Sequence, residues 1–304
     1  MIREDSAEQV SQPSEDQDGE TYLQHRSMLS IVSPFSNAPG TVRVLEPREG
    51  ATASFVEKLY NGEFSSPFIL DTAGMRHLYF DLQSVQSSMR LKDPDALVTA
   101  YARKMMAFLL FNRAPRRIVM IGLGGGSLVK FCYRHLPNTH LTVVEIDPDV
   151  VALRNWFHIP ADDHRLEIIL GDGADFVMNG DWSAEVLLID AFDRIGVAPS
   201  LASTRFYAEA FRRLGPNGVL VMNLAGEDDR YTAHVERLSE VCPGEVLLVP
   251  VVSDGNILIF AFARPVHSLV LGSLEADAEE LQFEFALDFP TFLRRLRNGH
   301  LLGC

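Results

Sequence analysis

The chain has 304 residues, 47% of them hydrophobic, and carries 41 acids against 27 bases for a formal net charge of −14. That length holds one large α/β domain plus a smaller one, and the charge argues against nucleic acid while suiting a cationic partner. No apolar run reaches transmembrane length, no signal-peptide core opens the chain, and the scattered Cys132, Cys242 and Cys304 fit a reducing compartment, so a cytoplasmic protein off the membrane is expected.

Residues 1–27 read as a disordered acidic tail: Glu4, Asp5, Glu8, Glu15, Asp16, Asp18 and Glu20 face only Arg3 in its first stretch. Residues 28–112 form a small N-terminal β-hairpin and helix domain. A strand is expected at 41–45 and a short helix at 54–60. FILD and HLYFD flank a turn at 72–75, and SVQSSMRL supplies a third strand. Asp93-Pro94-Asp95 then offers an N-cap, a proline at the first helical position and a first-turn acid. Leu97, Tyr101, Met105 and Phe108 follow at helical spacing. Most of that stripe is core, and Tyr101 alone has a polar tip able to reach a neighbouring site.

Residues 113–266 repeat strand and helix. The organising stretch is RIVMIGLGGGSLVKFCYRHLPNTHLTVVEID, residues 117–147. Its first apolar run reads as a strand covered on both faces. Gly122, Gly124, Gly125 and Gly126 follow at once, where glycine lets the backbone turn tightly and approach a ligand at the head of a helix. Glu145 ends the next strand, about 20 residues on, a spacing suited to a ribose diol. Further strands are expected at 166–170, ending in Gly171-Asp172-Gly173, at 186–189, ending in Asp190-Ala191-Phe192-Asp193, and at 219–223. Apolar runs at 246–251 and 257–263 flank Ser253-Asp254-Gly255-Asn256, a hairpin signal. Five βα units closed by an antiparallel hairpin give a Rossmann-like seven-stranded sheet. Residues 267–304 read as a C-terminal helical extension, acidic at 273–288 and amphipathic at 289–296.

Ligands of open α/β sheets bind at the carboxyl ends of the strands, where strand order reverses. Those ends present Gly122–Gly126, Glu145, Asp172 with Gly173, and Asp190. Glu145 is placed for ribose hydroxyls. Asp172 is placed either for an adenine amino group or simply to cap the helix that follows. Asp190 and Asp193 are the acids best placed for a reaction: a carboxylate can anchor an ammonium group and take its proton before the amine attacks a sulfonium-activated carbon. Residues 194–203 are long enough for a lid. A nicotinamide frame is disfavoured by Ser127 at the sixth position from Gly122, and none of the nine histidines makes a metal pattern.

Residues 68–264 resemble the spermidine synthase (polyamine aminopropyltransferase) family, through IGLGGGS, VVEIDPDVV, LGDGADF, LLIDAFD and the last hairpin. The resemblance implies a small β-domain before a methyltransferase-type sheet, homodimers or larger homo-oligomers, and decarboxylated S-adenosylmethionine as aminopropyl donor to a di- or polyamine. Glu145 would then hold the ribose and Asp172 the adenine. Asp190 would be the base, and Asp193 and Tyr101 would serve the amine. Three positions differ from the family pattern. Gly125 stands where an aspartate is usual, Asp190-Ala191-Phe192-Asp193-Arg194 replaces DS(S/T)DP, and Val252 stands near the place of a common tyrosine. IGLGGGSL and VVEIDP are also similar to eukaryotic methyltransferases that use S-adenosylmethionine itself. Methyl transfer is therefore the alternative, and a non-catalytic nucleoside- or polyamine-binding protein the third reading.

Overall fold

The computed structural model describes residues 28–45, 57–59, 61, 63–64, 66–81, 85–191, 199–225, 231–266, 273–298 and 300–302. The acidic tail, most of the helix expected at 54–60, and Asp193 with the first part of the expected lid lie outside them.

Five strands, β1 (Met28–Val32), β2 (Thr41–Leu45), β3 (Phe68–Thr72), β4 (Met75–Tyr79) and β5 (Val85–Arg90), pair in sequence order as an antiparallel meander. Period-two alternation divides its apolar side chains. Val42, Val44, Phe68 and Leu70 close a small core with Leu59, while Leu45, Ile69, Leu78 and Met89 join the main core of the molecule. A charged clamp reinforces that junction. Arg76 grips Asp71 with Nε and NH2, both at 2.7 Å, and Arg43 bonds the same carboxylate. Both guanidinium groups lie over the Trp156 ring, at 5.1 and 5.3 Å. Burial pushes the Asp71 carboxyl up, but the two arginines outweigh it and hold the group below its usual value.

Helix α1 (Ala100–Met105) begins later than the Asp93-Pro94-Asp95 signal predicts. Those residues instead form a turn, with Asp93 bridged to Arg90 and Asp95 paired with Arg134. Thr99, at the N-cap, makes no side-chain cap bond. Asp254 supplies the missing acceptor from the far hairpin, taking the Tyr101 N–H at 2.8 Å. A fully buried 3₁₀ turn (Met106–Leu110) leads into the large sheet.

That sheet comprises β6 (Arg117–Ile121), β7 (His140–Glu145), β8 (Leu166–Leu170), β9 (Ala184–Ile189), β10 (Leu214–Ala225), β11 (Val246–Val251), β12 (Asn256–Phe262) and β13 (His300–Leu302), in the order β13-β11-β12-β10-β9-β6-β7-β8. The pairs from β10 through β8 are parallel, and β12, β11 and β13 are antiparallel additions. All seven expected strands are present. The three-residue β13, within a segment expected to be helical, adds an eighth that covers the outer edge of β11.

Alternate residues of the central strands enter opposite cores. Ile118 and Met120 face one, with α2 (Ser127–His135), α7 (Glu275–Phe285) and α8 (Phe289–Arg297). Val119 and Ile121 face the other, with α4 (Gly173–Asn179), α5 (Thr204–Arg213) and α6 (Tyr231–Val241). The short α3 (Pro148–Ala152) follows β7. Among the described residues no helix is long and apolar enough to cross a membrane.

Lys130 of α2 is buried, with Nζ donating to Phe157 O at 2.7 Å and Met89 Sδ at 3.1 Å. Burial pushes its ammonium down to about 8, against a smaller upward pull from Asp95. A base with a folded-state pKa below its unfolded value opposes folding while charged in both states. That penalty is complete below about 8 and disappears as pH approaches 10.5. Lys130→Met should therefore gain stability relative to wild type at neutral pH, and thermal unfolding should show the gain shrinking through that alkaline window.

Candidate active site

Strand order reverses between β6 and β9, and the carboxyl ends around that point line a cleft of about 460 Å³. Its floor is the glycine turn. Gly122, at φ 97°, donates its N–H to Val144 O at 2.9 Å, while the Asp190 N–H donates to Ile121 O at 2.9 Å. The turn is thus fastened to both neighbouring strands. A Cβ at Gly122 would stand 2.3 Å from Asp190 O, so neither the dihedral nor the space admits a side chain.

Gly124 and Gly125 continue the floor, and Gly126 stands behind it at the head of α2. At Gly125 a Cβ would meet Ser87 Oγ at 2.5 Å and Phe157 Cδ1 at 3.0 Å. Strand β5 therefore presses a hydroxyl into the space that an aspartate at this position would need.

Glu145 closes β7 and is buried. Its Oε2 accepts Leu123 N–H at 2.8 Å and its Oε1 accepts Asp147 N–H at 2.9 Å. Burial pushes its carboxyl up, and the hydrogen bonds from Asp147, Leu123 and Gly124 partly offset it. A carboxylate has about four lone-pair positions, so it can tie the turn together and still meet a hydroxyl in the cleft. Asp172 caps α4, Oδ1 accepting from Ala174 N at 2.6 Å and Asp175 N at 3.1 Å. Gly173 lines the cleft beside it.

Asp190 is half-buried at the end of β9. Oδ2 accepts from the Tyr101 hydroxyl at 3.2 Å and Oδ1 from Asn223 Nδ2 at 2.9 Å. Burial raises its carboxyl, and both donors pull the other way. Burial and the Asp190 charge raise the Tyr101 phenol well above its ordinary range, so it serves as a neutral donor. Every predicted site residue except Asp193, which lies outside the described residues, is in or directly behind this cleft.

Sequence reasoning missed Ser87, Asn223, Asn256 and Asp254. Asn223 had a signal, a polar side chain ending an apolar strand; Asn256 was read as part of the hairpin turn, and the structure makes it the first residue of β12. Ser87 had none, since only the packing of β5 over the turn brings it to Gly125. Among the described residues no three His, Cys, Asp or Glu side chains group as a metal site.

Fold and cleft define a Rossmann-like α/β protein with the seven-stranded methyltransferase-type sheet and a small antiparallel sheet over its ligand edge. Residues 83–251 match the spermine/spermidine synthase domain model. The polyamine aminopropyltransferase of Chromobacterium violaceum is 37% identical over 241 residues, covering 77% of this chain and 92% of that one. The chain belongs to the spermine/spermidine synthase family. Its fold is similar to that of a probable spermidine synthase from Corynebacterium glutamicum, with TM-score 0.58, 18% identity and coverage of 70% and 84% of the two chains. It is also similar to human methyltransferase-like protein 13 in complex with SAH, with TM-score 0.53, 21% identity and coverage of 65% and 93%.

Gly122→Ala should cost well over about 2 kcal/mol, because an unfavourable φ and a backbone collision act together. Gly74→Ala, at φ 78° with nothing within 4 Å of its Cβ, should cost only the left-handed strain, about 1–2 kcal/mol. Urea unfolding of the two variants measures the difference.

Proposed function

We propose that this chain moves an aminopropyl group from decarboxylated S-adenosylmethionine to a di- or polyamine, with Asp190 as the acceptor-activating base. Membership of the family makes it an enzyme of this class. One observation carries the choice of donor: the charged side chains among the described lining residues are Glu145, Asp147, Asp172 and Asp190, with no lysine, arginine or histidine. The decarboxylated donor brings a sulfonium and an ammonium into that field, and the acceptor brings further cations. Among the described lining residues a donor carboxylate would meet acids and no cationic side chain.

In this reading the glycine turn carries the nucleoside, Glu145 meets the ribose and Asp172 the adenine. Tyr101 serves the amine beside Asp190, and the family resemblance gives Asp193 the same role. Asp190 accepts a proton from the acceptor ammonium, and the freed lone pair attacks the aminopropyl carbon attached to sulfur. The carbon–sulfur bond breaks, its electron pair stays on sulfur, and neutral methylthioadenosine leaves. The chain's contribution is alignment, exclusion of water and custody of one proton. A homodimer or larger homo-oligomer in the cytoplasm is proposed with it, on the strength of the family.

Methyl transfer from S-adenosylmethionine is the second reading, and Gly125 favours it. With Ser87 Oγ against this position, no acid stands there to hold the amine of an aminopropyl group. It ranks second because the described lining offers a donor carboxylate no cation.

Incubating the protein with each donor and a panel of amines decides between them. Methylthioadenosine release is the expected result. S-adenosylhomocysteine would establish the second reading, and tight binding with neither product would make the protein a non-catalytic binder. Asp190→Asn should lose at least about 100-fold in kcat. Because burial raises Asp190, kcat/KM should fall on the acid side through a pKa above the ordinary 3.8, activity being present above it.

A further inference from the structure

Three neighbouring strands carry a polar row at their cleft ends. Leu188 of β9, Val221 of β10 and Leu258 of β12 face the same apolar core. Two residues further toward the cleft, the same face presents Asp190, Asn223 and Asn256. Asn223 is 1% exposed and Asn256 8%. Asn223 Nδ2 donates to Asp190 Oδ1 at 2.9 Å, and Asn223 Oδ1 accepts from Asn256 Nδ2 at 2.8 Å.

A carboxylate only accepts, so Asn223 must turn its NH2 toward Asp190 and its carbonyl away. The buried carbonyl then needs a donor, and Asn256 is that donor. The last hairpin also governs the other carboxylate oxygen. Asp254, two residues before Asn256, holds the Tyr101 N–H whose side chain donates to Asp190 Oδ2. Both hydrogen bonds to Asp190 therefore trace back to one turn.

Resting on the reading of Asp190 as base, we propose that Asn223 and Asn256 form a positioning relay that keeps Asp190 ionised and directed at the acceptor amine. Burial works against ionisation, and the described groups around Asp190 are Tyr101 from α1, Asn223 from β10, and Glu145, Asp147 and Asp172 elsewhere in the cleft. None is a cation. Neutral donors are what counter the loss of water.

The test is the pH profile of kcat/KM for the full-length enzyme and its Asn223→Leu, Asn256→Ala and double variants. Asn223→Leu should lower kcat about 10–100-fold, hold the donor KM within about twofold, and move the acid limb up by about one pH unit. Asn256→Ala should move it the same way by less, and should add nothing in the Asn223→Leu background. Donor calorimetry and thermal unfolding identify folded variants. Should Asn223→Leu fail to fold, Asn256→Ala decides alone. A folded variant with an unmoved acid limb, or additive losses in the double variant, would reduce the pair to scaffolding and overturn the relay. Full turnover by Asp190→Asn would instead overturn the assignment of the base.

Discussion

The site depends on a contact between two backbones. At the point where strand order reverses, Gly122 lies so close to Asp190 that a Cβ would stand 2.3 Å from its carbonyl oxygen. This approach sets the glycine floor of the cleft and the Asp190 carboxylate side by side. Hydrogen bonds from Gly122 to Val144 and from Asp190 to Ile121 hold it on both flanks. Parallel pairing of β6 with β9 continues into the site without a break, so the rigidity of the sheet is passed to the turn.

Around that contact the charged side chains among the described lining residues are of one sign. These acids are used twice over. Glu145 ties the turn to β7, Asp172 caps α4, and both still present carboxylates to the cleft. Asp190 is the exception, since its polar contacts among side chains come from Tyr101 and Asn223 and neither serves to cap a helix. The small sheet completes the enclosure by laying β5 across the turn, with Ser87 at Gly125 and Phe157 behind it. The Arg43–Asp71–Arg76 clamp on Trp156 secures the same corner, because Trp156 immediately precedes Phe157.

What was legible in the sequence was what local chemistry determines. Apolar runs ending in glycine or acid marked β6 to β9 and thereby the four strand ends that meet at the cleft. Asp254-Gly255 marked the hairpin. The start of α1 was misread because its effective cap is Asp254, 153 residues away, while the local Asp93-Pro94-Asp95 signal spends itself on a turn and on Arg134. β13 escaped because three residues carry no period and pair only with an edge that tertiary structure exposes. Asn223 stood in view at the end of an apolar strand and Asn256 as the last residue of the hairpin turn, but their meaning required knowing that β9, β10 and β12 are adjacent. The departure at Gly125 was visible as a missing acid. That a serine from the small sheet occupies the space was not.

The central claim is that a cleft with four lining carboxylates and no described cation selects a donor by its charge. Isothermal titration of the protein with decarboxylated S-adenosylmethionine and with S-adenosylmethionine, without acceptor, measures this directly. Tighter binding of the decarboxylated form, by about tenfold or more, is the predicted result. Equal affinity, or a preference for the carboxylate-bearing donor, would contradict it.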